Sequence, residues 1–243
     1  MSGKYVYTHQ NVRYYHLPIE AWRGLLDEPA RVFNLCECIM CADCETNKEL
    51  EEDYGFTCQN ADSFKEQSRL GNCFLMGNKQ SNVCFSISVE MYWQYKSDFL
   101  SDRIKEWDWL LLLWWMALHT VGGRTKIVDT NNEYVFCRAA GFATKADFKN
   151  HPFNGDEKIL RYIANPARYA SRIREELMLK YDSFHSYSQK GVRGWSFMIA
   201  MINRQAAFDM LAEHMAERGT KGQRKKELCQ MMNAARKQAV NNK

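Results

Sequence analysis

The sequence predicts a mainly helical fold with small β elements. Three observations predict it. Apolar residues recur at helical spacing between recognisable start and stop signals over residues 101–181. A strand, a glycine-bearing turn and a second strand follow at 184–199. Hydrophobic residues make up 46% and aromatic residues 13% of the chain, enough for a sizeable core. The length of 243 residues fits one large domain or two small ones.

The elements are read in chain order. Residues 4–15 alternate like a strand and are rich in aromatics. Pro18 stands where a helix can begin, and IEAWRGLL starts an apolar periodicity. A break is expected at Asp27–Pro29, then helix through ARVFNLCECIMCADCETNKEL, with the acidic run from Asp43 to Asp53 as its solvated end. CFLM, the turn-rich GNKQSN and VCFSIS predict a hairpin over 71–89, followed by a short helix in VEMYWQYKSDFL. This N-terminal region, residues 1–100, is expected to be a small helical or α+β unit.

The next hundred residues, 101–200, carry clearer punctuation. Ser101 with Asp102 can cap a helix that Gly122–Gly123 ends. Its WLLLLWWMAL run would rise about 15 Å, roughly half a bilayer core, so it reads as a buried core helix rather than a membrane span. Thr130 and Glu133 have the spacing of a capping box ahead of NNEYVFCRAA. One turn is expected at KADF and a short helix at EKILRYIA. Asn165 then caps a helix with Pro166 in its first position, ARYASRIREELMLKY. FHSYS, QKGVRG and WSFMIA read as strand, turn and strand. Residues 201–243 predict two basic C-terminal helices separated at GTKGQ.

Helix, helix, helix, hairpin is the winged-helix order, in which the third helix enters the major groove and the hairpin lies along phosphates or minor groove. The residues suit that use. Tyr169, Ile173, Leu177 and Tyr181 recur every four positions as an inward stripe. Arg168, Ser171, Arg172 and Glu175 share the opposite face, and arginine is the side chain best suited to guanine edges and phosphates. Lys190 and Arg193 sit at the hairpin turn beside Gly191 and Gly194, which ease a close backbone approach. Lys221, Arg224, Lys225 and Lys226 add further cations.

The stretches LLLLWWMALHTVGG, TNNEYVFCRAAGF, RYASRIREELMLKY and FHSYSQKGVRGWSF resemble winged-helix segments of uncharacterised bacterial proteins of mobile or accessory DNA. The resemblance implies double-stranded DNA as the partner and no catalytic residues. A winged-helix core that serves as a protein-interaction scaffold is the alternative reading.

Charge runs in the same direction. Residues 158–243 hold 17 Lys and Arg against 7 Asp and Glu, while residues 1–107 hold 11 against 16. A basic C-terminal half suits a polyanion, and the acidic N-terminal region suits oligomerisation or partner contacts.

Nine cysteines and the absence of a basic-then-apolar leader fit free thiols in a reducing, cytoplasmic setting better than a disulfide framework. Cys36, Cys38, Cys41 and Cys44 carry metal-ligand residue types. On a helix, Cys38 and Cys41 share a face, as do Cys41 and Cys44, but Cys36 points elsewhere. Buried thiols are therefore expected, with zinc as the alternative and no cofactor otherwise. His119 reads as a helix-terminal histidine. No nucleotide-binding glycine loop, zinc-protease helix or nucleophile elbow is present, so the chain is expected not to be an enzyme.

Overall fold

A computed structural model of the chain describes residues 7–9, 12–77, 83–101, 105–122, 127–153 and 157–241. The described residues are mostly helical, with two three-stranded antiparallel sheets. Two compact units divide the chain. One holds Met1–Gly123 with Glu133–Ile173, the other Arg124–Asn132 with Arg174–Lys243. The segment 101–200 is thus shared between them.

In the first unit, the segment expected as a strand is two, β1 (Tyr7–His9) and β2 (Val12–Pro18), paired antiparallel. Pro18 precedes a single 3-10 turn at Ile19–Trp22. Then α1 (Pro29–Asp43) begins with its proline in the first turn, where the missing N–H costs nothing. It does not continue through the acidic run. Cys44 turns extended, and Thr46 caps a separate α2 (Asn47–Tyr54), its side chain accepting the Glu49 N–H. Gly55, at φ 75°, closes α2 in the left-handed region.

The expected hairpin over 71–89 does not form. CFLM is the last turn of α3 (Ala61–Gly77), and VCFSIS supplies β3 (Cys84–Ser88). Residues 78–82 of the expected turn lie outside the described residues. A four-residue apolar run fits helix or strand equally well, and the partner of β3 is the distant β2, with Leu17 opposite Phe85. α3 crosses α1 so closely that a Cβ on Gly71 would lie 2.1 Å from the Cys38 carbonyl oxygen. Only glycine permits that crossing. Ser88 caps α4 (Val89–Leu100).

Trp22 centres the core of this unit. Its ring meets Phe33 and Phe85 edge-on at 5.9 Å each, and Tyr92 at 6.4 Å. The Trp109 indole N–H donates to the Trp22 carbonyl at 3.0 Å. Trp109 opens the buried run of α5 (Glu106–Gly122), where every residue from Trp109 to Leu118 except Trp115 is buried. Burial on all sides is the sign of a core helix. No helix among the described residues is long and apolar enough to cross a membrane. The cap expected from Ser101 and Asp102 is not used as foreseen. Ser101 ends α4, Asp102 lies outside the described residues, and Asp108 accepts the Lys105 N–H instead.

α6 (Asn132–Ala139) starts two residues after Thr130, which closes β4 (Val128–Thr130), so the expected capping box is absent. The capping box is found one helix later. Thr144 and Asp147 form it at the head of α7 (Lys145–Asn150). α8 (Lys158–Ala164) and α9 (Pro166–Lys180) follow as read.

In the second unit, β5 (Phe184–Tyr187) and β6 (Trp195–Ile199) form the expected hairpin, and β4 joins it in the order β4-β6-β5. A single α10 (Arg204–Asn241) replaces the two predicted C-terminal helices. Gly219 and Gly222 lie inside it, because each glycine costs only about 1 kcal/mol in a helix interior. Ala207, Leu211 and Met215 of α10 are buried, the first two packing on Met198 with Ile127, Tyr187 and Ala200 around them.

Candidate nucleic-acid interface

α9 is amphipathic for the reason the sequence suggests. Ala170, Ile173 and Leu177 are 0% exposed, whereas Arg168, Ser171, Arg172 and Glu175 are exposed. Tyr169 and Tyr181 are half-buried, at the edge of the stripe rather than in it. The two arginines differ in setting. The Arg172 guanidinium lies over the Trp107 ring, 4.2 Å from its centroid, and that of Arg168 sits 5.5 Å from the Tyr169 centroid. Stacking leaves the guanidinium edge, with its N–H donors, directed away from the ring.

Sequence reasoning missed Arg174, two residues on. Burial lowers its pKa, and its guanidinium packs 4.9 Å from the Trp195 centroid. Its signal is position, between Ile173 and Leu177, on the buried flank of the helix.

The hairpin turn is held from inside the second unit. Gly194, at φ 79°, lets the chain close on β4, where an added Cβ would lie 2.3 Å from the Thr130 carbonyl oxygen. Gly191, at φ 85°, faces open space. Only Gly191 therefore serves the open approach expected of both glycines. Lys190 and Arg193 are exposed at this turn. The Arg193 carbonyl accepts from Arg218 of α10 at 3.1 Å, and a Cβ on Gly219 would lie 3.2 Å from the Val192 side chain. α10 thus backs the turn.

Asp129 ties the same helix to the sheet. Its carboxylate accepts from the Ser196 hydroxyl at 2.7 Å and from His214 Nε2 at 2.9 Å, and pairs with Arg218 at 3.0 Å. Burial raises its pKa, but the two hydrogen bonds and the Arg218 and His214 charges outweigh that and hold the carboxyl below its usual range. Beyond this anchor, Lys221, Arg224, Lys225 and Lys226 are exposed, with Lys221 paired to Glu217 at 3.5 Å one turn back.

A cleft of about 630 Å³ in the first unit offers a different chemistry. Its cations are all engaged. Arg23 pairs with Glu20 and Glu157, Arg31 with Glu28, and Lys158 with Asp27. A rim of matched charges gives no focus for an anion.

Cys36, Cys38, Cys41 and Cys44 are all buried in the first unit. The fifth cysteine of this neighbourhood is Cys58, whose sulfur lies 3.7 Å from that of Cys41. No group of three His, Cys, Asp or Glu among the described residues is arranged to hold a metal ion. His185 is 1% exposed on β5, with Nε2 3.3 Å from the Ala200 carbonyl, so it presents no base to solvent. His119 lies in the last turn of α5 with its ring edge-on to Trp115 at 4.4 Å.

No protein-family model, curated protein or solved structure matches this chain.

Proposed function

We propose that residues 101–200 form a winged-helix module that binds duplex DNA without catalysing a reaction. The observation that carries this reading is the order helix α5, strand β4, helices α6 to α9, strand β5, glycine turn, strand β6, with the first strand pairing to the last. In a winged helix that connectivity supplies a recognition helix and a wing. On this reading α9 is the recognition helix and the β5–β6 turn the wing.

Exposure of the predicted contacts supports the same reading. Arg168, Ser171 and Arg172 offer donors to base edges from α9. Lys190 and Arg193 at the turn, and Lys225 and Lys226 on α10, meet phosphates. A self-association through the acidic N-terminal region would bring two such modules to one site.

A protein partner is the second reading. Leu179 and Met201 favour it, being 78% and 83% exposed in the second unit. Titration of the full chain with labelled duplexes at two salt concentrations separates the readings. DNA binding requires affinity that falls steeply with salt. No retention of any duplex at low salt would leave the protein partner.

A further inference from the structure

Cys41 and Cys58 are 17 residues apart in sequence, yet their sulfurs lie at 3.7 Å, in van der Waals contact. Both thiols also converge on one acceptor, the Gln67 side-chain oxygen of α3, at 3.5 and 3.4 Å. Cys41 sits in the last turn of α1, fully buried, and Cys58 is 7% exposed in the connection between α2 and α3. The position of Cys58 is built. Asn47, the first residue of α2, accepts the Cys58 N–H at 2.8 Å and donates to the Cys58 carbonyl at 2.9 Å. That two-point grip presents the Cys58 thiol to Cys41.

We propose that Cys41 and Cys58 are an oxidative cross-linking site, which a peroxide converts to a disulfide that ties the end of α1 to the segment following α2. The inference is independent of DNA binding. In the first step the Cys58 thiolate attacks one oxygen of hydrogen peroxide. The O–O bond breaks, hydroxide leaves and takes up a proton as water, and Cys58 becomes a sulfenic acid. In the second step Cys41 gives up its proton and its sulfur attacks the Cys58 sulfur. The S–O bond breaks and the hydroxyl leaves as a second water. Two thiols and one peroxide yield one disulfide and two waters, so the thiols lose the two electrons that the peroxide gains.

Geometry favours this product over others. The sulfurs close from contact to a bond of about 2.05 Å by small side-chain movements. Gln67 is half-buried, so its oxygen can turn to water once both thiol donors are consumed. A metal is disfavoured because no third His, Cys, Asp or Glu among the described residues completes a site. Burial, with the hydrogen bond shared with Cys58, pushes the Cys41 thiol up, so the closing step quickens as pH rises.

The test uses the full chain carrying Cys73→Ser and Cys229→Ser, which removes the two exposed thiols. Protein treated with hydrogen peroxide at about pH 8.5 is alkylated under denaturing conditions, weighed intact and mapped by peptides. Expected are a mass lower than that of the reduced, alkylated protein by two alkyl groups and about 2 Da, a loss reversed when dithiothreitol precedes alkylation, and one cross-linked peptide joining Cys41 to Cys58. The loss should be slower at neutral pH and absent in Cys58→Ser. Should that variant fail to fold, the peptide map of the parent protein still decides. No mass loss, a cross-link that uses Cys38 or Cys44 instead, or a stoichiometric metal bound to the reduced protein would each overturn the proposal.

Discussion

The guanidinium of Arg172 stacks on the indole of Trp107, 4.2 Å from the ring centroid, and so joins the exposed face of α9 to the first turn of α5. An arginine held this way has already lost much of its rotamer freedom.

If α9 reads DNA as proposed, removing the shelf should weaken that binding through Arg172. An exposed cation–π contact is worth about 0.5–1 kcal/mol, so Trp107→Ala should cost about two- to fivefold in affinity. Arg172→Ala should relax sequence preference instead. In the double variant the two effects should not add. Fluorescence anisotropy against a panel of duplexes reads all three, and simple additivity would show that the stack does not orient the arginine.

Lys190 at the hairpin turn should behave differently. A phosphate contact carries no base information, so Lys190→Ala should weaken every duplex alike. The slope of log affinity against log salt should shrink by about 0.9. A sequence-dependent loss would place Lys190 on a base edge.

The two glycines of that turn should part company. Gly194→Ala drives a Cβ to 2.3 Å from the Thr130 carbonyl oxygen at φ 79°, so β4 or the turn must move. Gly191→Ala meets no atom and bears only the left-handed penalty of about 1 kcal/mol. Thermal melts should show the larger drop for Gly194→Ala, and equal drops would mean that the β4 contact is soft.

Acid should loosen α10 before it melts the helix elsewhere. The Asp129 carboxyl is held below its usual range in the folded protein, so it binds fewer protons there than in the unfolded chain. Its contribution is complete above the ordinary carboxylate pKa and is lost as pH falls through the lower folded value. Asp129→Asn should flatten the acid limb of the stability–pH curve and leave neutral pH as the point of largest difference from the parent. An unchanged acid limb would mean that the network with Ser196, His214 and Arg218 does not hold in solution.

A structural feature is legible in the sequence where its signal is local. Prolines and glycine turns are local, and Pro29, Pro166 and the 184–199 hairpin stand where the residues put them. The mainly helical class follows from them. The pairing of β3 with β2 is not local, and CFLM carried no mark to separate a last helical turn from a strand. The glycines of GTKGQ predict a break, but the helix-forming residues on both sides carry α10 through it. The same rule governs the sites. Exposure of Arg168, Ser171 and Arg172 was legible from periodicity on α9. Trp107 beneath Arg172, Arg218 behind Arg193 and Cys58 beside Cys41 required the tertiary fold.

α10 changes character along its length without changing conformation. Up to Gly219 it is fastened by Leu211, Met215 and Arg218, and from Thr220 to Asn233 every residue is exposed. A helical stretch with no packed face is marginal in water, since fewer than about 12–15 residues rarely sustain themselves alone. Its amide protons should therefore trade with deuterium in two regimes. The stretch before Gly219 should exchange with the sheet it rests on, on the timescale of global opening, and the stretch after it should exchange orders of magnitude faster. One continuous run of backbone hydrogen bonds thus acts as a cantilever, rigid at the root and able to fray from the tip, so an event at the far end need not disturb the turn that the root supports.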